Sequence, residues 1–355
     1  MAVIKTTETK TDVSKFLNRQ MELIILPTEK CNLDCVYCYE KFEIGMMSQE
    51  HVEAIKKLIS RRVYEIDRLT IQWFGGEPLL GYPIIKDIMN HVKVLQKSNP
   101  SLFLTSNATT NGYLLTPERL SELVSLNVND YQITFDGDKE LHDTLRRKRG
   151  DNGPSFDVIW KNIIAAHNTN LNFIMTLRMH VNSLNRDSME FLLRRVEKEI
   201  GPDKRFMAHI RFLSRLGGPN DKELPITDDT KAILDLKCIA TSIGLQAPDI
   251  DIYKEVPDFI CYASKPFAYV IRANGDISKC TVGLYSDTNI IGKLNYDSTM
   301  QLDDRKIASW SRGLFNGNQE DLSCPWKAIR KEELQLLRKW NKKNIPLKVL
   351  TTKLE

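Results

Sequence analysis

At 355 residues and 42% apolar content, the chain is long enough for a large domain with a sizeable core and a smaller one beside it. No run approaches the ~20 apolar residues of a membrane span, and residues 1–18 are polar and mixed in charge, unlike a secretory signal. The net charge of +4 is unevenly placed: residues 325–355 carry nine Lys or Arg and three Glu, or +6, which leaves −2 elsewhere. Neither a membrane nor a nucleic acid is the expected partner.

Residues 21–26 read as a first buried strand, ended by Pro27. Residues 48–59 read as a helix, with Ser48 as N-cap and Val52, Ile55, Leu58 and Ile59 as its apolar stripe. Strands are then expected over 69–74, 102–105, 130–135, 173–181 and 206–213. Helices are expected over 82–95, 117–126, 156–166 and 188–200. This alternation predicts an α/β fold: parallel βα units joined by right-handed crossovers, six in number, closing only part of a barrel. Functional groups should gather where strands end and loops begin. After a linker from 216 and a bridging helix over 229–243, short strands and turns suggest a smaller second domain. The basic C-terminal segment reads as a solvated amphipathic helix, with Ile329, Leu334, Leu336, Leu337 and Trp340 near helical spacing. A contact surface for an acidic peptide or nucleic acid is the other reading.

Cys31, Cys35 and Cys38 sit in one short loop after the first strand, with three and then two residues between them. A structural zinc site usually wants four ligands, often as two paired sets, and no second pair follows. Three thiolates can hold three irons of a [4Fe–4S] cube and leave the fourth iron open. The odd count of seven cysteines argues against a disulfide framework. Such a cluster needs a reducing, oxygen-poor setting, so a cytoplasmic location is expected.

The CxxxCxxC pattern, with Tyr37 just before the third cysteine, resembles the radical S-adenosylmethionine (SAM) superfamily. The resemblance implies an open iron that chelates the amino and carboxylate groups of SAM, and a 5′-deoxyadenosyl radical that abstracts hydrogen from a substrate. It implies an electron donor such as flavodoxin or ferredoxin. Gly75-Gly76-Glu77-Pro78 follows the second strand and resembles the family's motif for the SAM amino group. Thr109-Thr110-Asn111-Gly112 resembles its Thr-Asn-Gly stretch, an ordinary Asn-Gly turn being the alternative. Thr134 resembles a hydroxyl that reaches the SAM carboxylate or ribose. His142-Asp143 and Arg146 follow it, as in many peptide-modifying members, and the resemblance counts Asn111 and Arg146 among the SAM-binding residues. Arg178 lies inside an apolar strand, where an arginine is costly unless paired, and a SAM carboxylate is its expected partner. His180 is either a substrate-site group or a hydrogen-bonded barrel histidine. No residue stands out as the catalytic acid or base.

Cys261-x13-Gly275-x4-Cys280, followed by Cys324, resembles the auxiliary-cluster domain called SPASM, or its shorter form, twitch. The resemblance implies one auxiliary cluster, a [4Fe–4S] cube held by Cys261, Cys280 and Cys324. Cys238, on the bridging helix, is the candidate fourth ligand; a buried free cysteine is the other reading. The expected layout is an N-terminal extension (1–20), a radical SAM partial barrel (21–215), a linker and bridging helix (216–250), an auxiliary domain (251–325) and a basic tail (326–355). The layout resembles enzymes that modify a residue in a ribosomally made precursor peptide by crosslinking, epimerisation or oxidation. A twitch-type dehydrogenase or epimerase of a small molecule is the alternative, and a non-catalytic iron–sulfur or zinc protein a further one. Only 20 residues precede the first strand, too few for a leader-binding domain, so a separate leader-binding protein is a possible partner.

Overall fold

The computed structural model describes residues 19–248 and 259–341. The expected extension up to Asn18, the start of the auxiliary segment at 251–258 and the tail lysines at 342, 343, 348 and 353 lie outside the described residues.

The chain opens with β1 (Gln20–Ile25), the cysteine loop containing β2 (Leu33–Cys35), and α1 (Gln49–Arg62). It continues through β3 (Arg68–Trp73), α2 (Tyr82–Ser98), β4 (Phe103–Thr110), α3 (Pro117–Ser125), β5 (Val128–Phe135), α4 (Lys139–Leu145), β6 (Arg146–Lys148) and α5 (Phe156–His167). Next come β7 (Ile174–Val181), α6 (Arg186–Glu199), β8 (Phe206–Phe212) and α7 (Thr230–Ser242). The C-terminal part holds β9 (Ala268–Ile271), β10 (Asp276–Ser278), β11 (Ile290–Leu294), β12 (Met300–Leu302), α8 (Asp304–Asn316), α9 (Gln319–Ser323) and α10 (Pro325–Asn341).

Local chemistry sets the boundaries. The Ser48 side chain accepts from the His51 N–H at the start of α1, whose buried stripe includes Val52, Ile55, Leu58 and Ile59. Thr116 caps α3, with Pro117 in its first turn. The strands alternate: in β7, Met175, Leu177, Met179 and Val181 are buried while Thr176, Arg178 and His180 are half-buried.

β1, β3, β4, β5, β7 and β8 pair in parallel in that order, each neighbour reached through a helix. This is the expected six-stranded partial barrel. The sheet does not stop at the linker. β9 pairs in parallel with β1, Glu22 opposite Ala268, and β10 to β12 extend the edge in antiparallel order. One ten-stranded sheet therefore runs through the expected domain boundary, and the main core draws on both sides of it, from Leu23 to Ile291 and Trp310.

Two other features were not expected. β4 runs to Thr110, so Thr109 and Thr110 belong to the strand. β2 pairs with β6 in a separate two-stranded ladder that sets Cys35 opposite Arg146.

Candidate active site

The cysteine loop leaves β1 at the C-terminal end of the sheet and is clamped from three sides. On one side, the β2–β6 ladder fixes Leu33 to Cys35, and Val36 N–H bonds the Leu145 carbonyl at 3.0 Å. Cys38 N–H turns back on the Cys35 carbonyl at 3.0 Å. On the second side, Gly75 and Gly76, both at positive φ, press against the loop. A Cβ on Gly76 would stand 2.2 Å from the Lys30 carbonyl oxygen, so only glycine fits there. Gly76 N–H also donates to the Glu40 carboxylate at 2.7 Å, and burial pushes Glu40 up to about 7. The third side is the C-terminal sheet: Tyr39 Oη donates to the Thr281 carbonyl at 3.0 Å, and Lys41 N–H donates to Tyr285 Oη at 2.8 Å.

Glu77 is fully buried and its carboxylate is already spoken for. One oxygen accepts from Leu79 N–H (2.9 Å) and Thr110 Oγ1 (2.7 Å), the other from Asn111 N–H (2.7 Å). It ties the Gly-Gly loop to the end of β4. Asn111, in turn, reaches Asn32 Oδ1 at 2.8 Å and Cys31 Sγ at 3.8 Å. Leu33 N–H also points at Cys31 Sγ, at 3.4 Å. Pro78 begins a short 3₁₀ turn, Pro78–Gly81.

Sequence reasoning missed a buried network beneath the loop. Tyr37 Oη donates to Asp136 Oδ2 at 2.6 Å and accepts from Arg146 Nη1. Arg146 lies 3.8 Å from Asp136 and His180 Nδ1 lies 3.6 Å from it, with the Tyr37 ring edge-on to His180. Desolvation works against the Asp136 carboxylate, but His180 and Arg146 outweigh it and hold its pKa below the usual range. Thr134, largely buried, sits beside Arg178 in the parallel register of β5 and β7. His142 is sealed among Phe135 and Phe156, and burial pushes it down to about 3. Asp143 accepts from Ser155 and Phe156 N–H groups and so supports the start of α5.

The three loop thiols act on one another electrostatically. Burial first, and then neighbouring charges, raise Cys31 and Cys35, and push Cys38 up to about 12. Among the described residues no three His, Cys, Asp or Glu groups converge on a single ion. A cube spreads its thiolates over different irons, so that geometry is not required of it. A cleft of about 640 Å³ opens beside the loop, lined in part by Cys35, Cys38, Glu40, Arg147 and Arg149. Three thiols in one clamped loop, amides aimed at a sulfur and open space alongside fit an iron–sulfur cluster.

Cys261, Cys280 and Cys324 form a second set. Cys280 and Cys324 both raise the Cys261 pKa, after burial, to about 12. Cys261 N–H bonds the Leu322 carbonyl at 2.9 Å, which brings the α9 end carrying Cys324 to it. Cys238 is neither buried nor part of this set. It stands exposed on α7, against β8 at the opposite edge of the sheet from β9 to β12.

Residues 25–196 match the family model of the Radical SAM superfamily. That span of the chain is a radical SAM domain. Membership associates it with SAM and iron–sulfur chemistry. The PqqA peptide cyclase of Bradyrhizobium diazoefficiens is 34% identical over 113 residues, which span 32% of this chain and 28% of that protein. The radical SAM cyclopropyl synthase TigE of Paramaledivibacter caminithermalis is 26% identical over 154 residues, spanning 36% of this chain and 31% of TigE. The chain thus spans less than a third of the length of these two relatives. In fold, this radical SAM protein is similar to native anSMEcpe with bound AdoMet and Cp18Cys peptide. The TM-score is 0.61 at 18% identity, over 86% of this chain and 83% of that one. It is likewise similar to SuiB of Streptococcus suis, with a TM-score of 0.59 at 15% identity, over 83% and 68%. No helix among the described residues is long and apolar enough to cross a membrane.

Proposed function

We propose that the chain is a radical SAM enzyme that takes a hydrogen atom from a residue of a peptide. The setting would be the maturation of a ribosomally made peptide by crosslinking, epimerisation or oxidation. The observation that carries the reading is the clamped Cys31–Cys35–Cys38 loop, three thiols beside an open cleft. Relatives whose names include a peptide cyclase and a sporulation killing factor maturation protein support the peptide class.

When bound, a [4Fe–4S] cluster with SAM supplies the electron that breaks a carbon–sulfur bond and generates the 5′-deoxyadenosyl radical. The protein supplies position and shielding. Cys31, Cys35 and Cys38 hold the cluster, with Leu33 N–H and Asn111 aimed at the Cys31 sulfur. The backbone at Gly75, Gly76 and Pro78 receives the SAM ammonium. Glu77 acts from behind, by holding the ends of β3 and β4 at a fixed separation. Arg178 receives the SAM carboxylate, with Thr134 beside it, and Asn111 offers its amide. Arg146 holds Tyr37 and Asp136 in place under the loop. Cys261, Cys280 and Cys324 hold an auxiliary cluster. A flavodoxin or ferredoxin in the cytoplasm would deliver the electron.

The reconstituted protein should release 5′-deoxyadenosine under reducing conditions, and Cys31/Cys35/Cys38→Ala should release none. Undiminished release in the triple variant would sink the assignment. With a short precursor peptide encoded beside the gene, deuterium on a peptide carbon should appear in 5′-deoxyadenosine. Transfer only from a small molecule would replace the peptide with a dehydrogenase or epimerase substrate.

A further inference from the structure

The inner face of β7 and β8 carries more positive charge than SAM can use. In β8, Phe206, Ala208 and Ile210 are buried on the helix side, while Met207, His209 and Arg211 alternate onto the other face. The parallel register sets Arg178 beside His209 and His180 beside Arg211. Thr134, Arg178 and His209 form one row across three strands, and Asp136, His180 and Arg211 lie one layer above.

Burial holds both histidines neutral near pH 7, His180 at about 4 and His209 at about 3. The charge in these rows therefore rests on Arg178 and Arg211. The acid among them, Asp136, is already shared by Tyr37, Arg146 and His180. Neither Arg178 nor Arg211 forms an ion pair among the described residues. Arg178 Nε and His209 Nε2 are buried without a hydrogen-bond partner, and His209 is only 6% exposed. The two guanidiniums oppose each other: burial and then Arg211 lower Arg178 to about 10. Both arginines are half-buried, and a partly desolvated cation without a partner is costly unless an anion completes it.

SAM brings one carboxylate, and two arginines line the rows. With Arg178 assigned to SAM, Arg211 is left with the neutral His209 imidazole nearby as a hydrogen-bond donor. We propose that Arg211 and His209 bind a carboxylate of the substrate, so that the peptide carries an Asp or Glu side chain or a C-terminal carboxylate anchored on β8. This rests on the peptide reading above. A planar guanidinium takes a carboxylate through two parallel hydrogen bonds, which fixes orientation as well as affinity. Such an anchor would set which carbon is presented for hydrogen abstraction.

The test uses cluster-loaded, SAM-saturated full-length protein and two capped amino acids, N-acetyl-glutamate N-methylamide and its glutamine counterpart. Calorimetry should show the glutamate probe binding at least tenfold tighter. That preference should fall to within twofold in Arg211→Met and in His209→Gln, and survive in part in Arg211→Lys. SAM retention in equilibrium dialysis should stay within twofold of wild type in Arg211→Met. Its Tm without carboxylate should be no lower, since an unpartnered charge is removed. Equal binding of the two probes, or a preference that survives Arg211→Met, overturns the proposal. Loss of SAM retention in Arg211→Met assigns Arg211 to SAM and also overturns it. If 5′-deoxyadenosine release persists while the glutamate preference is absent, the anchor fails and the radical SAM reading stands. If free glutarate binds through Arg211 and neither capped residue does, the carboxylate site stands and the peptide does not.

Discussion

Arg272 and Glu29 form a two-pronged ion pair, Nε to Oε1 at 2.9 Å and Nη2 to Oε2 at 2.7 Å, with both side chains buried. Glu29 lies two residues before Cys31, and Arg272 directly follows β9, on the segment that leads to Cys280. The pair therefore joins the two cysteine sets through 243 residues of chain separation. Desolvation works against the Arg272 charge, but the Glu29 carboxylate outweighs it and raises its pKa. Paired this way, the charges are satisfied; separated, either is stranded.

Removing one partner should thus cost more than removing both. Arg272→Met is expected to lose ~3–5 kcal/mol, the usual penalty for a stranded buried charge. The Glu29→Gln/Arg272→Met double variant should recover much of it. Urea unfolding of the four proteins closes the cycle. A double variant that loses the sum of the two single losses would show that the pair is not coupled.

The second prediction concerns Gly76. Its φ is +34° and an added Cβ would meet backbone, not a side chain that can swing away. Gly76→Ala should displace the Lys30 segment, cost ~1–3 kcal/mol by overpacking, and lower bound iron by about four per chain. Gly150→Ala is the control: φ is +99°, but nothing lies within 4 Å. It should show backbone strain alone and keep its iron. Full iron in Gly76→Ala would mean that the close approach does not hold the cysteine loop.

The acid limb of stability should carry a signature of His209. Its folded pKa lies at about 3, below the ordinary value, because of burial first and then Arg178, Arg211, His180 and Lys237. A histidine with a depressed pKa binds fewer protons folded than unfolded. Its contribution is therefore present above pH ~6.5 and lost as pH falls toward 3. At ~1.4 kcal/mol per unit, the loss is no more than about 5 kcal/mol. His209→Gln should flatten the slope of unfolding free energy between pH 6.5 and 4. An unchanged slope would show that the imidazole is not neutral in the folded protein.

Much of the site was legible because it is local. The cysteine spacing, the glycine pair at the end of a strand and the βα alternation each occupy a short stretch of chain. Partners set by distant pairing were not legible. Three-residue strands such as Leu33–Cys35 and Arg146–Lys148 carry too little pattern to reveal the ladder that puts Cys35 opposite Arg146. β9 reads as one of the short strands of the second domain, and only the fold shows that it docks on β1. The polar stretch Ser106 to Thr110 reads as a loop because its inner face is polar. The period-two pattern His209-Ile210-Arg211, matching Arg178-Met179-His180, was visible, and its meaning depended on the register between β7 and β8.

The last prediction concerns the auxiliary cysteines. Cys261 starts the 3₁₀ turn Tyr262–Ser264 that packs on α8 and α9, Cys280 follows β10, and Cys324 ends α9, so all three belong to the C-terminal edge of the sheet. Cys238 stands exposed at the other edge, among the outward residues of α7. Ligation by Cys238 would need α7 to leave β8 and give up the buried contacts of Ile233, Leu236 and Ala240. At ~1.5–3 kcal/mol for each large apolar side chain exposed, that rearrangement is costly beside the gain of one more thiolate ligand. Cys238→Ala should therefore keep about eight irons per chain, and Cys261→Ala about four, since each cube holds four. The auxiliary cluster would then have three cysteine ligands and one iron open to another group. A drop in auxiliary iron, or a changed cluster spectrum, in Cys238→Ala would show that α7 does move to close the cluster.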